Sequence, residues 1–371
     1  MEEVSGRGMS PENINFDSVP YIKTEVMKDY DPEVYKKAEE VLRAGGLVAF
    51  PTETVYGLGG DGLNPSASMK IYAAKGRPSD NPLIVHIGKI EQLRDLVAEV
   101  PESAKKLMDR FWPGPLTIIF KKSPQVPYET TGGLETVAIR MPSHPVANKL
   151  LSESLVPVAA PSANLSGRPS PTSPHHVIED LSGRIDLIID GGDVEIGLES
   201  TIVDVTGECP MILRPGFITE EMLEDLLGEI KIDPAILKKP QKDFHPKAPG
   251  MKYKHYAPKA DLTLFSGDKD EVVSHINALV KEAEAMGKKV GILATKETEG
   301  LYQSGEVLSL GEREDEKSIS HNLYRMLRRC DEDGLDVVYG EVFYQHDLGL
   351  AIMNRLSKAA GYQIIDLKKP E

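Results

Sequence analysis

The sequence has little cysteine and no long apolar run. Its two cysteines, Cys209 and Cys330, are far apart, and neither has a second cysteine or a histidine nearby at zinc-ligand spacing. Neither a disulfide framework nor a structural zinc site is therefore expected. Residues 1–25 contain no apolar segment long enough for a signal peptide or a membrane helix. We interpret them as a flexible arm on a soluble, cytoplasmic protein.

Positive charge is also in short supply. Lysine and arginine together number 43, against 58 aspartates and glutamates, which gives a formal net charge of -15. Sequence-independent binding of nucleic acid needs many cations facing phosphates, so a broad nucleic-acid surface is not expected. An anionic substrate must instead meet a local concentration of positive charge.

The usual phosphate loops and nucleophile motifs are absent as well. The sequence contains no G-x-x-x-x-G-K-[ST] segment, and no G-x-G-x-x-G segment follows directly on a predicted strand. Ser162 does not lie in a G-x-S-x-G segment, which argues against acyl-enzyme chemistry. If a nucleotide binds, another kind of loop must hold it.

Short apolar runs alternate with amphipathic segments along most of the chain. Helix-start signals occur at Asp31–Pro32 and at Asn64–Pro65. The alternation predicts a mixed, largely buried sheet covered by helices, and a second alternation near the C-terminus predicts a small doubly wound α/β domain. The segment between them contains seven lysines and one acid in residues 238–259, and we interpret it as a linker. The predicted units are an arm (1–25), a first domain (26–232), a basic Pro-rich linker (233–259) and a C-terminal domain (260–371).

The segment KGRPSDN contains two cations, Lys75 and Arg77, two residues apart. If the segment is extended, as the following prolines favour, both side chains point to the same side and suit a phosphate chain or a carboxylate. The alternative is a solvated basic turn. His86, in the strand that follows, is either a site residue or a hydrogen-bonded core histidine.

Other polar groups follow buried strands and, taken together, ring one end of the predicted sheet. A threonine-rich loop follows residue 50, and a loop rich in hydroxyls follows residue 160. Loops at the strand ends of α/β sheets are common ligand sites. The polar residues of these loops and strand ends are Thr52, Thr54, Tyr56, Thr117, Arg140, Ser162, Asn164, Ser166, Arg168, Ser170, Thr172, Glu199, Ser200, Thr201 and Arg214.

Seven ordered segments over residues 35–230 resemble the YrdC-like domain of L-threonylcarbamoyladenylate synthases. They are FPTETVYGLG, AKGRPSDNPLIVH, WPGPLT, VAIRMP, APSANLSGRPSPT, LESTIVD and ILRPG. The linker APGMKYKHYAPK and the second α/β domain resemble the longer, two-domain form of that family. The resemblance implies a twisted mixed open sheet with helices on its faces, followed by a smaller Rossmann-like domain.

The resemblance also implies an activity. Members of the family are nucleotidyltransferases that combine L-threonine, bicarbonate and ATP into threonylcarbamoyl-AMP and pyrophosphate. This is the first step of N6-threonylcarbamoyladenosine formation at position 37 of tRNA, and a separate complex then transfers the group to tRNA. Mg2+ would enter with the ATP phosphates and needs no dedicated carboxylate cluster. Contact with tRNA itself is possible but would not be the main role.

Site residues follow from the matched motifs. Lys75 and Arg77 are implied to be catalytic, and the linker is expected to act as a lid over the nucleotide. The resemblance leaves open which of Thr52 and Thr54 contacts threonine. The implied L-threonine-binding residues are Thr52, Thr54, His86, Arg140, Ala160 and Ser200, and the implied ATP-binding residues are Arg77, Asn81, Thr117, Ser162, Asn164, Ser170, Arg214, Tyr253, His255 and Tyr256.

Three alternatives remain. A carbamoyltransferase of the kind used in hydrogenase maturation also contains a YrdC-like domain, but it carries zinc-binding cysteine clusters that this chain lacks. A double-stranded RNA-binding or nucleotide-binding module is disfavoured by the acidity and by the lack of stacking aromatics near the basic residues. The C-terminal domain could bind a ligand of its own, although a scaffold for the linker is the preferred interpretation.

Overall fold

The computed structural model describes residues 21–154, 156–236, 246–249, 251, 255–342 and 347–368. Within these ranges the chain forms a mixed sheet of eleven strands and a separate sheet of five strands. The predicted fold class, a mixed sheet with helices followed by a smaller doubly wound α/β domain, is confirmed. Residues 1–20 of the predicted arm and Tyr253 of the linker lie outside the described residues.

The large sheet uses strands of short, mostly apolar sequence. Its order is β1-β8-β2-β3-β7-β4-β6-β5-β9-β10-β11, with parallel and antiparallel neighbours interspersed. The strands are β1 (Glu25–Lys28), β2 (Val48–Phe50), β3 (Gly57–Asp61), β4 (Ile84–His86), β5 (Leu116–Lys121), β6 (Thr136–Arg140), β7 (Val158–Ala159), β8 (Leu187–Asp190), β9 (Thr201–Asp204), β10 (Met211–Arg214) and β11 (Lys231–Ile232).

Helices cover this sheet and bury its apolar residues. Val85, Ile118 and Ile139, on three strands of the sheet, are fully buried. Such continuous apolar runs form strands when both faces of the sheet are covered. The helices are α1 (Val34–Arg43), α2 (Pro65–Lys75), α3 (Leu93–Leu96), α4 (Glu102–Phe111), α5 (Tyr128–Thr131), α6 (Pro145–Glu153), α7 (Pro174–Leu181) and α8 (Glu220–Leu227).

Strand β3 was not predicted, because its sequence is GLGGD and glycine weakens strand propensity. The glycines are required here by close packing. A Cβ atom at Gly59 would lie 2.7 Å from Cγ1 of Val158 and 2.9 Å from Cε1 of Phe50. Strand β3 pairs antiparallel with β2, with Phe50 opposite Gly57, so the segment 51–56 is held as a tight loop at the end of this hairpin.

Two further local predictions need correction. Helix α1 begins at Val34 after an uncapped Glu33, whereas Asp31 accepts a hydrogen bond from the backbone N–H of Glu33 in the preceding turn. The C-terminal end of the predicted arm is also anchored, because Thr24 donates to the carbonyl of Ile185 and β1 pairs with β8.

The smaller sheet is entirely parallel, in the order β14-β13-β15-β12-β16. This arrangement confirms the doubly wound α/β prediction for the C-terminal region. None of the described helices is long and apolar enough to cross a membrane. The elements are β12 (Asp261–Ser266), α9 (Lys269–Ala285), β13 (Val290–Ala294), β14 (Glu306–Ser309), α10 (Glu316–Glu332), β15 (Val337–Glu341), α11 (Asp347–Ala359) and β16 (Ile364–Asp366).

Helices α10 and α11 of the C-terminal domain pack directly against the first domain. Ser320 and His321 of α10 bind the backbone carbonyls of Ile196 and Glu195. Asn354 of α11 donates to the carbonyl of Ile236, at the start of the linker. The contacts of α10 bring the C-terminal domain next to the segment that precedes β9, and Arg328 of the same helix donates to the carbonyl of Pro169 in the loop after β7.

Candidate active site

A cleft lies where the predicted polar loops meet. About 60 Å³ of its interior is open to molecules the size of water. Its walls come from the loop after β2, the end of α2, strands β4 and β6, the loop after β7, the segment before β9, the end of β10 and the linker. The lining includes Thr52, Thr54, Tyr56, Lys75, Arg77, His86, Arg140, Ala160, Ser162, Asn164, Ser166, Glu199, Ser200, Arg214, Pro249, His255 and Tyr256.

The loop after β2 holds its threonines by internal hydrogen bonds. The Thr52 hydroxyl accepts from the backbone N–H groups of Thr54 and Val55 and donates to the carbonyl of Val55. The Thr52 and Thr54 hydroxyl oxygens are 2.8 Å apart. The Thr52 hydroxyl therefore stabilises the loop itself, and the Thr54 hydroxyl contacts Arg140.

Arg140, at the end of β6, connects this loop to a buried carboxylate. Its Nη1 donates to the Thr54 hydroxyl at 2.8 Å, and its Nη2 lies 2.7 Å from Oε1 of Glu53. Both members of the ion pair are buried. The charge of Glu53 offsets the cost of burying a guanidinium. Hydrogen bonds from Arg140 to the carbonyl of Gly114 and to the Thr54 hydroxyl hold its plane. Sequence reasoning missed Glu53, because a single acid between two threonines has no distinctive spacing.

Lys75 and Arg77 both line the cleft, but the extended conformation predicted for their segment is wrong at Lys75. Lys75 is the last residue of α2, and Gly76 closes the helix in a left-handed conformation with φ 62°. The Lys75 ammonium donates to the carbonyls of Ser162 and Asn164, so it ties the loop after β7 to α2. Burial and the neighbouring Arg77 hold the pKa of Lys75 well below its usual range.

Arg77 is oriented by the backbone of its own loop. Its Nη2 donates to the carbonyls of Asn81 and Pro82, at 3.3 and 2.9 Å. The solvated basic turn considered from the sequence is excluded, since Arg77 is 6% exposed and Lys75 is 2% exposed. Two buried cations in one cleft form the local positive charge that an anionic substrate requires.

His86 is both a core residue and a wall of the cleft. Its Nδ1 is 3.2 Å from the carbonyl of Ile84, and its ring meets the Phe50 ring edge-on at 6.5 Å between centroids. Burial, and next the charge of Arg140, lower the pKa of His86 to about 3. The imidazole is therefore neutral at physiological pH and offers hydrogen bonds without adding charge.

The segment Glu199–Ser200 connects three parts of the site. The Ser200 hydroxyl lies 2.7 Å from the Thr117 hydroxyl and accepts from Nη2 of Arg214 at 3.2 Å. The Glu199 carboxylate accepts from the Ser170 hydroxyl at 2.6 Å. Although burial opposes ionisation, Arg355 and then Arg214 lower the pKa of Glu199 to about 2. Burial in turn lowers the pKa of Arg214 to about 10.

The described part of the linker lies over the cleft. The backbone N–H of Ala257 donates to the carbonyl of Gly167, and the Tyr256 ring stacks on Tyr324 with 5.2 Å between centroids. Tyr256 has a φ of 65°, which is uncommon for a residue other than glycine. Burial, and next the charge of Arg77, lower the pKa of His255 to about 3. This placement fits the expectation that the linker is a lid.

Three of the residues implied by the motifs do not reach the cleft wall. Asn81 contributes its carbonyl to Arg77, Thr117 supports Ser200, and Ser170 supports Glu199. They are placed as supports behind the wall. The other implied residues that the structure describes all line the cleft. Sequence reasoning missed Tyr324 and Arg355, which reach Glu199 from the C-terminal domain.

The donor set of the cleft suits phosphates better than a directly bound metal. Among the described residues no group of three or more histidine, cysteine, aspartate or glutamate side chains could hold a metal ion. The cleft instead presents Lys75, Arg77, Arg140 and Arg214. Guanidinium and ammonium groups bind phosphate and carboxylate oxygens directly, so these residues favour an anionic ligand.

Known proteins share the architecture and both halves of the sequence. One family profile, described as telomere recombination, matches residues 40–216, and another, described as threonylcarbamoyl-AMP synthase, C-terminal domain, matches residues 218–361. The threonylcarbamoyl-AMP synthase of Pyrococcus abyssi (strain GE5 / Orsay) is 51% identical over 87% of this chain and 93% of its own length. That of Bacillus subtilis (strain 168) is 49% identical over 92% and 97%.

The fold agrees with a solved structure as well. P. abyssi Sua5 complexed with L-threonine has a TM-score of 0.85 and 48% sequence identity to this chain, and the match covers 94% of this chain and 100% of that one. Matches of this identity extend through both domains. The chain therefore belongs to the threonylcarbamoyl-AMP synthase family, in its two-domain form.

Proposed function

We propose that this protein is a nucleotidyltransferase that converts L-threonine, bicarbonate and ATP into threonylcarbamoyl-AMP and pyrophosphate. The observation that carries the proposal is the composition of one cleft. The Thr54–Arg140 pair and neutral His86 line the same cavity as Lys75, Arg77 and Arg214. The first group suits an amino acid and the second suits a phosphate chain. The relative that was solved with L-threonine supports the same assignment.

The amino-acid end would use the groups around Arg140. Its guanidinium would bind the carboxylate of threonine, as a fork of donors suits a carboxylate. Thr54, rather than the internally bonded Thr52, has its hydroxyl on Arg140 and so lies closer to that carboxylate. His86, held neutral, would contact the threonine hydroxyl or amine without repelling it.

The nucleotide end would use Lys75, Arg77 and Arg214 for the phosphates. The hydroxyl-rich loop of Ser162 and Asn164 is fastened to Lys75 and would contact the nucleotide. Mg2+ would arrive with ATP, held by phosphate oxygens, and would neutralise charge on the leaving pyrophosphate.

The chemistry joins two anions. The threonine amine forms a C–N bond to the carbon of bicarbonate with loss of water, giving a carbamate. A carbamate oxygen then attacks the α-phosphorus of ATP, the bond from that phosphorus to the bridging oxygen breaks, and pyrophosphate leaves. The buried cations offset the repulsion between carbamate and phosphate. Holding the two reactants in line can contribute roughly 7–11 kcal/mol, and no nucleophilic side chain is needed.

The two alternative functions lack comparable support. A carbamoyltransferase with zinc-binding cysteine clusters is disfavoured by the two cysteines of this chain. An RNA-binding module needs cations on its surface, whereas the cations of the cleft are buried within the protein. Retention on tRNA with a steep salt dependence and no ATP turnover would favour the RNA-binding function.

The test is an omission experiment with purified protein. ATP, Mg2+, L-threonine and bicarbonate are supplied together, and pyrophosphate and threonylcarbamoyl-AMP are followed by mass spectrometry. We expect product only when all the substrates are present. L-serine and L-valine serve as analogues that lack, respectively, the methyl group and the hydroxyl group of threonine. Pyrophosphate release that does not depend on threonine would overturn the proposal, and carbamoyl phosphate would be tested next.

A further inference from the structure

We propose that the C-terminal domain is a working part of the active site, because its residues Tyr324 and Arg355 position the Glu199–Ser200 segment of the cleft. This inference rests on the proposed function, which it deepens by adding two positioning residues. Neither residue lines the cleft itself. Their effect on substrates must therefore pass through the residues that they hold.

The Glu199 carboxylate is surrounded by donors from both domains. Ser170 binds it from the first domain at 2.6 Å. The Tyr324 hydroxyl, from α10, lies 3.0 and 2.8 Å from its two oxygens, and Nε of Arg355, from α11, donates at 3.0 Å. Glu199 is 6% exposed, and Tyr324 and Arg355 are fully buried. A carboxylate with this many fixed partners cannot move unless the C-terminal domain moves with it.

Arg355 also holds the segment Arg214–Pro215, at the end of β10. Its Nη1 donates to the carbonyl of Pro215 at 2.6 Å, directly after Arg214. Arg214 in turn binds the carbonyl and the hydroxyl of Ser200. One side chain of α11 therefore sets the spacing between two segments that line the cleft.

The charge of Arg355 matters as much as its geometry. Glu199 is an anion on the wall of a cleft that must accept ATP. The ion pair with Arg355 neutralises it within the protein, and the pair is buried on both sides. Without the guanidinium, a buried and unpaired carboxylate would repel the phosphates and would cost stability.

Other contacts across the interface do not involve Glu199 and provide controls. Ser320 of α10 donates to the carbonyl of Ile196 at 2.7 Å. Ser320→Ala removes this one hydrogen bond between the domains and leaves every contact of the Glu199 carboxylate in place. Loss of interface stability can thus be separated from loss of positioning.

The experiment compares Tyr324→Phe, Glu199→Gln, the double variant and the control Ser320→Ala in the full chain. Dissociation constants for ATP and L-threonine are measured by calorimetry, KM and kcat by pyrophosphate release, and unfolding by circular dichroism. We expect Tyr324→Phe to weaken binding by roughly tenfold, since hydrogen bonds to charged groups are the strong class. Ser320→Ala should lower the free energy of unfolding about as much as Tyr324→Phe does, but it should leave both dissociation constants unchanged.

The double variant gives the sharpest outcome. If Tyr324 acts through Glu199, Tyr324→Phe should add nothing once Glu199→Gln is present, because residues that act as one unit are not additive. Additive losses, or equal losses from Ser320→Ala, would overturn the inference. If Tyr324→Phe fails to fold, Arg355→Met combined with Glu199→Gln removes the ion pair as a unit. Normal ATP and threonine binding by that folded pair would also overturn it.

The two proposals can fail separately. ATP binding reports on positioning even if the wild-type protein makes no threonylcarbamoyl-AMP. Product formation by the wild type tests the reaction alone.

Discussion

Nη2 of Arg140 lies 2.7 Å from Oε1 of Glu53, and each side chain is at most 6% exposed. The pair sits directly behind the Thr54 hydroxyl, which Arg140 also contacts. A substrate carboxylate would therefore meet a guanidinium whose orientation is already fixed. Because Arg140 is already ordered, it loses less conformational entropy when the substrate binds.

Replacing Glu53 by glutamine tests that relationship. The change leaves a buried guanidinium without its counter-ion, so we expect the free energy of unfolding to fall by about 3 kcal/mol. Threonine affinity should fall too, because Arg140 loses the counter-ion that holds it beside the Thr54 loop. Urea denaturation and calorimetry measure the two effects. Glu102→Gln, in an exposed pair with Lys105, should change neither. Tighter threonine binding would mean that Glu53 merely competes for Arg140.

Lys75→Met removes the ammonium and keeps a stem of similar length. We expect ATP to bind at least about tenfold more weakly, since a charge-assisted contact and the anchor of the Ser162 loop are both lost. Threonine affinity should change much less. Lys70→Met is the matched control, because Lys70 lies on the same helix but donates to the carbonyl of Gly45. Equal losses from the two variants would contradict the phosphate role.

The pH dependence of stability should reveal the neutral state of His86. Its pKa is about 3 in the folded protein, against 6.5 for the ordinary side chain. The unfolded chain takes up a proton below pH 6.5 and the folded chain does not. Stability is thus fully present above that pH and falls as the pH drops toward 3, by about 1.4 kcal/mol per pH unit.

Urea denaturation at pH 7.5, 6.0 and 5.0 measures this slope. His176 and His255 share the shift, with pKa values lowered to about 3 by burial, and contribute in the same direction. His86→Asn should therefore make the slope shallower by the equivalent of one proton. An unchanged slope in that variant would show that His86 titrates normally in the folded state.

Gly197 tests the fit between the domains. It has a φ of 84°, and a Cβ atom there would lie 2.5 Å from the carbonyl oxygen of Ser320. Gly192 has a φ of 79° but nothing within 4 Å of such an atom. Both alanine variants share the backbone strain, and only Gly197→Ala forces α10 away from the first domain. We expect weaker ATP binding from Gly197→Ala alone, and equal binding by both variants would contradict this.

The lid can be tested at Tyr256. Tyr256→Ala removes the ring that stacks on Tyr324 and lines the cleft. If the linker shields bound threonylcarbamoyl-AMP from water, hydrolysis of that product should release AMP in the variant, and AMP should accumulate relative to threonylcarbamoyl-AMP. Tyr128→Ala, at an exposed position, is the control. An unchanged ratio of the two products, measured by mass spectrometry, would show that Tyr256 has no part in shielding.

Much of the fold could be read from periodicity. Short apolar runs marked most strands, and Asn64 with Pro65 marked the start of α2, where the Asn64 side chain caps the helix. Strand β3 escaped, because close packing rather than propensity selects its glycines. The end of α2 escaped too. Its last residue, Lys75, belongs to the KGRPSDN segment, for which the following prolines predict an extended conformation. Local sequence alone does not show where the helix ends.

The site was predictable to the extent that its residues lie in ordered motifs. Sequence could not separate residues of the wall from those one layer behind, such as Thr117 and Ser170, because both have the same polar character. Arg355 was missed for a different reason. A charged residue within a helical pattern usually marks a solvated face, and only the tertiary structure shows that Arg355 is fully buried.

The interface between the domains is held partly by buried charge. Arg328 of α10 binds Asp180 of α7, and Arg355 binds Glu199, with all four side chains at most 8% exposed. Charged groups lose hydration free energy as temperature rises, so the cost of keeping such pairs away from water declines on heating. The interface between the domains should consequently not be the first part of the molecule to open on heating. The cleft would stay assembled until a whole domain melts.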